Sequence, residues 1–198
     1  MAERRGRPRA YDPEEALDAA MAVFRARGYG GTTLDALSEA TGMQRPSLYA
    51  AFGDKRALFD RTIERFARRM DEATTAALQA PKLAEALVTA LFAVVDLYAP
   101  VNGRGEGCLV FGVASVEAVE APELAALLDG AIRRVDVKFE RRLAAAVEAG
   151  ELSEATDVAT LARLLTAVVH TLSLRARAGT TRRALRALAR RSVALLVE

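Results

Sequence analysis

Apolar residues recur at three- and four-residue intervals through most of the chain, the period of an amphipathic helix. Asp12, Pro13 and Glu15 supply a helix N-cap, a first-turn proline and a capping-box acid. The helix they open carries Leu17, Ala20, Val23 and Phe24 on one face and should stop at Gly28. Thr32 or Thr33 starts a short helix with Leu34, Leu37 and Ala40 inward, closed by Gly42, and a second short helix spans about 45–51. Asp54 caps a longer helix that buries Leu58, Phe59, Ile63, Phe66, Met70, Ala73 and Ala77, and Pro81 marks its end. Beyond it the period predicts helices over about 82–100, 122–149, 156–178 and 181–197, with a Gly-rich loop at 102–107 and a short apolar segment at 108–119. No window alternates as a strand would. The expected fold is all-α. Residues 1–53 form an arm and a three-helix unit, 54–80 a connecting helix, and 81–198 a larger helical domain.

Composition narrows the chemistry. The chain has 198 residues, 52% of them hydrophobic and 27% charged, which suits a globular protein. One Cys and one His rule out an intrachain disulfide and a zinc site, and no phosphate loop, metal-ligand cluster or nucleophile elbow is present. The expectation is therefore no cofactor, no metal and no enzyme. The start, MAERRGRPRAYDPEE, lacks the apolar core of a signal peptide. Uninterrupted apolar runs fall short of the roughly 18–20 residues of a membrane span. A cytoplasmic protein without a membrane partner is expected.

The net charge is only +2, but its distribution is uneven. An arm with Arg4, Arg5, Arg7 and Arg9 precedes the first helix, and Arg175, Arg177, Arg182, Arg183, Arg186, Arg190 and Arg191 crowd the other end. Residues 71–174 hold 15 acids against 8 bases. The arm suits a minor-groove or phosphate contact, or a solvated tail. The terminal arginines suit a solvated face, or pairing with acids such as Glu117, Glu120 and Glu123 or those of a second copy.

Residues 33–52, TLDALSEATGMQRPSLYAAF, carry the strongest functional signal. Two short helices about a Gly-centred turn make a helix-turn-helix. Gly42 supplies the left-handed residue that ends the first helix. Ala36, Leu37, Ala40 and Leu48 pack the pair, and Gln44, Arg45, Ser47 and Tyr49 face outward. Gln pairs with adenine, Arg with guanine, and Ser with base or phosphate. The helix starts at Thr33 and Gln44 aim backbone N–H groups at phosphates. Lys55, in a first helical turn, opposes the helix dipole and gains from a phosphate partner.

Residues 28–59, GYGGTTLDALSEATGMQRPSLYAAFGDKRALF, resemble the N-terminal DNA-binding domain of the TetR family of bacterial repressors. The likeness runs from about Tyr11 to Phe59 and keeps Phe24, Gly28, the Thr-Thr helix start, Gly42, Leu48-Tyr49, Phe52, Lys55 and Leu58-Phe59 in order. It implies a homodimeric transcription regulator. Thr33, Tyr49 and Lys55 would contact phosphates, and Gln44, Arg45 and Ser47 would lie in the major groove. Pro46 stands where the family commonly has Gly, and Ala50 and Ala51 where it often has aromatic or His side chains. Affinity would then lean on Arg45 and on the arm through Arg7 and Arg9.

The resemblance also implies a C-terminal ligand cavity and dimer interface. The wall candidates are Phe92, Tyr98, Cys108, Phe111, Phe139 and His170, and few aromatics and no Trp suit a small, largely apolar effector. The interface candidates are Leu161, Leu165, Val168, Leu172, Leu185 and Leu188 on the last two helices. The expected function is a ligand-responsive repressor, bound as a homodimer to a palindromic double-stranded operator and released by a small molecule. An effector-independent DNA binder and a redox or electrophile sensor acting through Cys108 are the alternatives.

Overall fold

The computed structural model describes residues 11–99, 105–115, 118–119 and 121–197. These are helical and contain no strand among the described residues. Helices α1 (Pro13–Arg27), α2 (Leu34–Thr41), α3 (Arg45–Phe52) and α4 (Lys55–Ala77) come first, followed by α5 (Leu83–Tyr98) and one wide π-helical turn, Val110–Ala114. Helices α6 (Pro122–Glu148), α7 (Val158–Arg177) and α8 (Arg182–Val197) complete the described chain. It divides into two compact units, Met1–Arg65 and Phe66–Glu198, with the division inside α4.

In the N-terminal unit the caps act as the sequence suggests. The Asp12 carboxylate accepts from the Glu14 N–H (2.8 Å), the Thr33 hydroxyl from Ala36 (3.2 Å) and Asp54 from Ala57 (2.8 Å). Gly42 has φ +65°, the left-handed conformation that lets α2 stop and α3 leave at a new angle. Helices of eight residues are marginal alone, so packing holds them. Phe24, Leu37, Phe59 and Ile63 are buried, each burial stabilising by roughly 1.5–3 kcal/mol. Phe59 sits 4.9 Å, ring centre to ring centre, from both Phe24 and Tyr29. Arg65 donates to Asp18 through two nitrogens (2.7 and 2.8 Å) and also pairs with Glu14, tying α4 to α1.

In the C-terminal unit α7 is the central helix and packs against α5, α6 and α8. It is long and apolar enough to cross a membrane by length and composition alone (mean hydropathy 1.2). Its apolar side chains Leu161, Leu165, Val169 and Leu172 are buried, as in a core helix of a globular unit. The Gly-rich loop has a steric reason. A Cβ on Gly105 would lie 2.2 Å from the Ala176 carbonyl oxygen, and one on Gly107 2.7 Å from that of Ser173. Backbone therefore lies directly on α7, and the Cys108 N–H donates to Ser173 Oγ (2.8 Å). Helix α5 has no cap of its own. The Leu83 N–H donates to Glu151 (2.7 Å), a carboxylate 68 residues away that Arg142 also reaches, and these bonds hold its pKa below the ordinary carboxylate value. Helix α4 ends at Ala77, ahead of Pro81, because residues 78–80 tighten into turns.

Candidate functional site

Helices α2 and α3 present a surface of uncommitted polar groups. Leu48 and Phe52 anchor α3 to the core, which turns Gln44, Arg45, Ser47 and Tyr49 outward. Gln44 precedes α3 without capping it through its side chain, and neither its amide nor the Ser47 hydroxyl makes a hydrogen bond among the described residues. Tyr49 is 48% exposed, one turn after Arg45 on the same face. Arg45 donates through Nε to Asp35 of α2 (2.9 Å) and pairs with it through a second nitrogen. That hydrogen bond, and the carboxylate's charge, push the guanidinium pKa further up. Both partners are well exposed, so the pair is weak, and three of the five guanidinium donors remain.

Thr33 is exposed at the start of α2. Its oxygen accepts the capping bond and its O–H stays available as a donor. Lys55 is more engaged than its position suggests. Its Nζ donates to the Thr32 carbonyl (2.8 Å) and lies 4.4 Å from the centre of the Tyr29 ring. The ammonium thus ties the start of α4 to the turn before α2, with donors to spare. Arg7 and Arg9 lie outside the described residues.

The C-terminal unit contains an apolar chamber of about 340 Å3. Tyr98, Cys108, Phe111 and Phe139 line it, as do Phe66 and Met70 from α4. Cys108 is 3% exposed.

Residues 16–62 match the family model described as bacterial regulatory proteins, tetR family, and residues 84–192 match that of a tetracyclin repressor-like C-terminal domain. The chain belongs to the TetR family. It is a DNA-binding transcriptional regulator, not an enzyme. The HTH-type transcriptional repressor ComR of Escherichia coli is 30% identical over 179 residues, 88% of this chain and 84% of that one. BdcR, an HTH-type transcriptional repressor of the same organism, is 33% identical over 53% of each chain. Among solved structures, a cysteine mutant of the TetR family regulator CifR, complexed with 26-bp double-strand operator DNA, has a TM-score of 0.81 at 32% identity. That match covers 95% of this chain and 98% of that one. A TetR family regulator from Agrobacterium tumefaciens shares the fold (TM-score 0.80, 93% and 97% covered) at 17% identity.

Within this TetR-family frame, four expectations need correction. Phe92 is not on the chamber wall. It lies on α5 under two guanidiniums of α8, 4.9 Å from Arg186 and 5.6 Å from Arg190. His170 is also off the wall and packs edge-on against Phe111 at 4.0 Å. Burial pushes its pKa down, against a weaker upward pull from Asp136. The terminal arginines are not merely solvated, since Arg182 and Arg186 both grip Asp96 of α5 (2.7 Å each). Glu117 and Glu120 lie outside the described residues. Leu161, Leu165, Leu172 and Leu185 are buried in their own chain, which removes them from any external interface. Val168 and Leu188 are half-buried, and the exposed apolar side chains nearby are Leu164, Leu174 and Leu195. A helix apolar on several faces does not tell its inner face from its outer one by period alone.

Phe66, Met70, Val135 and Val169 are chamber residues that the sequence marks only as helix-core positions. Their signal was the apolar period of α4, α6 and α7. A helix assigned to connect two units gives no hint that one flank also walls a cavity.

Proposed function

We propose that this TetR-family regulator is a repressor that binds a palindromic operator as a homodimer and is released by a small, largely apolar effector held in the chamber. The observation that carries the DNA reading is the α2–α3 surface, where Gln44, Arg45, Ser47 and Tyr49 stand exposed on a frame fixed by Gly42, Leu48 and Phe52. Gln44, Arg45 and Ser47 meet base edges, Thr33, Tyr49 and Lys55 meet phosphates, and Arg7 and Arg9 reach the adjacent minor groove. The relatives named as repressors and the operator DNA in the CifR complex support this reading. The dimer face is redrawn to Leu164, Val168 and Leu174 of α7 with Leu188 and Leu195 of α8, side chains their own chain leaves open to solvent in whole or part. The protein acts in the cytoplasm, and effector binding shifts α4, whose later residues wall the chamber and whose first turns belong to the DNA-binding unit.

Selection of bound duplexes from a random pool tests the proposal. The expected product is a palindrome with half-site centres about 10 base pairs, or a multiple of that, apart and a steep salt dependence of affinity. Recovery of asymmetric or random sequences would remove the operator reading.

A further inference from the structure

The apolar chamber adjoins a basic surface groove. The groove, about 900 Å3, runs between the end of α4 and α6, and its walls share Asp71, Leu78, Arg134 and Lys138 with the chamber. Five cations of α6 line it: Arg133, Arg134, Lys138, Arg141 and Arg142. Three are occupied. Arg133 pairs with Asp129, Lys138 with Asp71 and the Thr74 hydroxyl, and Arg142 with Glu151. Arg134 and Arg141 are exposed and make no hydrogen bond or ion pair among the described residues. They stand seven residues apart, two turns of one helix face, and Lys138 lies between them. Arg134 alone of this pair borders both spaces.

We propose that the effector is an anionic amphiphile, with a single apolar chain in the chamber and an acid head group on Arg134 at its mouth. This rests on the reading of the chamber as the effector site. Phe66, Met70, Phe111, Val135 and Phe139 offer the chain nothing but apolar surface. The mouth offers an uncommitted guanidinium, which binds carboxylate or phosphate oxygens through two parallel donors. Arg141 and the rest of the basic groove attract an anion and disfavour a cation. A neutral apolar effector would leave Arg134 without a task. A cationic one would meet like charge.

Titration of the full chain with four probes sharing one alkyl chain tests the head group: decanoate, decyl phosphate, decanol and decyltrimethylammonium, all below micelle-forming concentration. Calorimetry should show decanoate or decyl phosphate binding about tenfold or more tighter than decanol, with no binding of the ammonium. The better of the two acids identifies the head. Arg134→Ala should bring the acids down to the level of decanol and leave decanol unchanged, and Arg134→Glu should let the ammonium bind. Arg134 is exposed, so an unchanged melting temperature should confirm that both variants fold. Equal binding of acid and alcohol, or an acid preference that survives Arg134→Ala, would overturn the head-group assignment. A Val135→Trp variant separates that failure from failure of the site. Loss of decanol binding in it keeps the chamber reading while the head group falls. Binding of no probe at all, or decanol binding unaffected by Val135→Trp, would sink both.

Discussion

Arg45 and Arg186 are each held by a carboxylate of a neighbouring helix, yet the two pairs do different things. Arg45 and Asp35 are 55% and 75% exposed, and solvent screens their bond. Arg186 shares Asp96 with Arg182, the partners are 37% and 38% exposed, and the guanidinium also stacks on Phe92. The first arrangement is a loose tether on a surface whose other donors are idle, one that a bound partner can displace cheaply. The second is a clamp of α8 on α5, and its cations are spoken for. On the proposed function, Arg45 serves recognition while Arg182 and Arg186 serve internal fastening. A near-neutral total conceals both uses.

The largest break in that comparison comes from Phe59→Ala. Removing a ring packed on Phe24 and Tyr29 should cost about 3–5 kcal/mol. Hydrogen exchange should show the loss of protection confined to the N-terminal unit. Equal loss in α7 would show that the units do not open separately. Next in size, Asp96→Ala strands two guanidiniums and should destabilise the C-terminal unit by about 1–3 kcal/mol in denaturant melts. The matching change Asp35→Ala should cost clearly less than Asp96→Ala and leave the fold intact. Similar costs for the two would erase the distinction between tether and clamp.

The smallest effect is one of pH. Burial holds the His170 pKa below its ordinary value of 6.5, so the unfolded chain binds the proton more readily. Stability from this group is present above that value and is lost as pH falls through it toward the depressed folded value. His170→Gln should flatten the melting-temperature profile of the C-terminal unit in that window. A variant whose profile keeps the wild-type slope would assign it to another group.

The N-terminal unit was legible because its determinants are close in sequence. Asp12, Thr33 and Asp54 cap helices within three residues of themselves, and Gly42 needs only its own backbone angle. The C-terminal unit depends on partners far apart. Glu151 caps α5 from 68 residues away, Asp96 meets Arg186 from 90, and the chamber joins α4 to α6 and α7. The misplacement of Phe92 and of the arginine cluster has one cause, the α5–α8 contact, since each answers the other across it. Lys55 shows the reverse limit. Its cost against the helix dipole was visible in sequence, but its nearest remedy, the Thr32 carbonyl, was not.

The central claim is that the idle donors of α3 read the operator. Once a bound duplex has been selected, its affinity for wild type and for the double variant Gln44→Ala/Tyr49→Phe, at one fixed salt concentration, tests the claim most directly. Both side chains are exposed, so melting should not change. The predicted result is a loss of roughly a hundredfold, from one base contact and one phosphate contact. Wild-type affinity in a folded double variant would contradict the assignment of this surface to DNA.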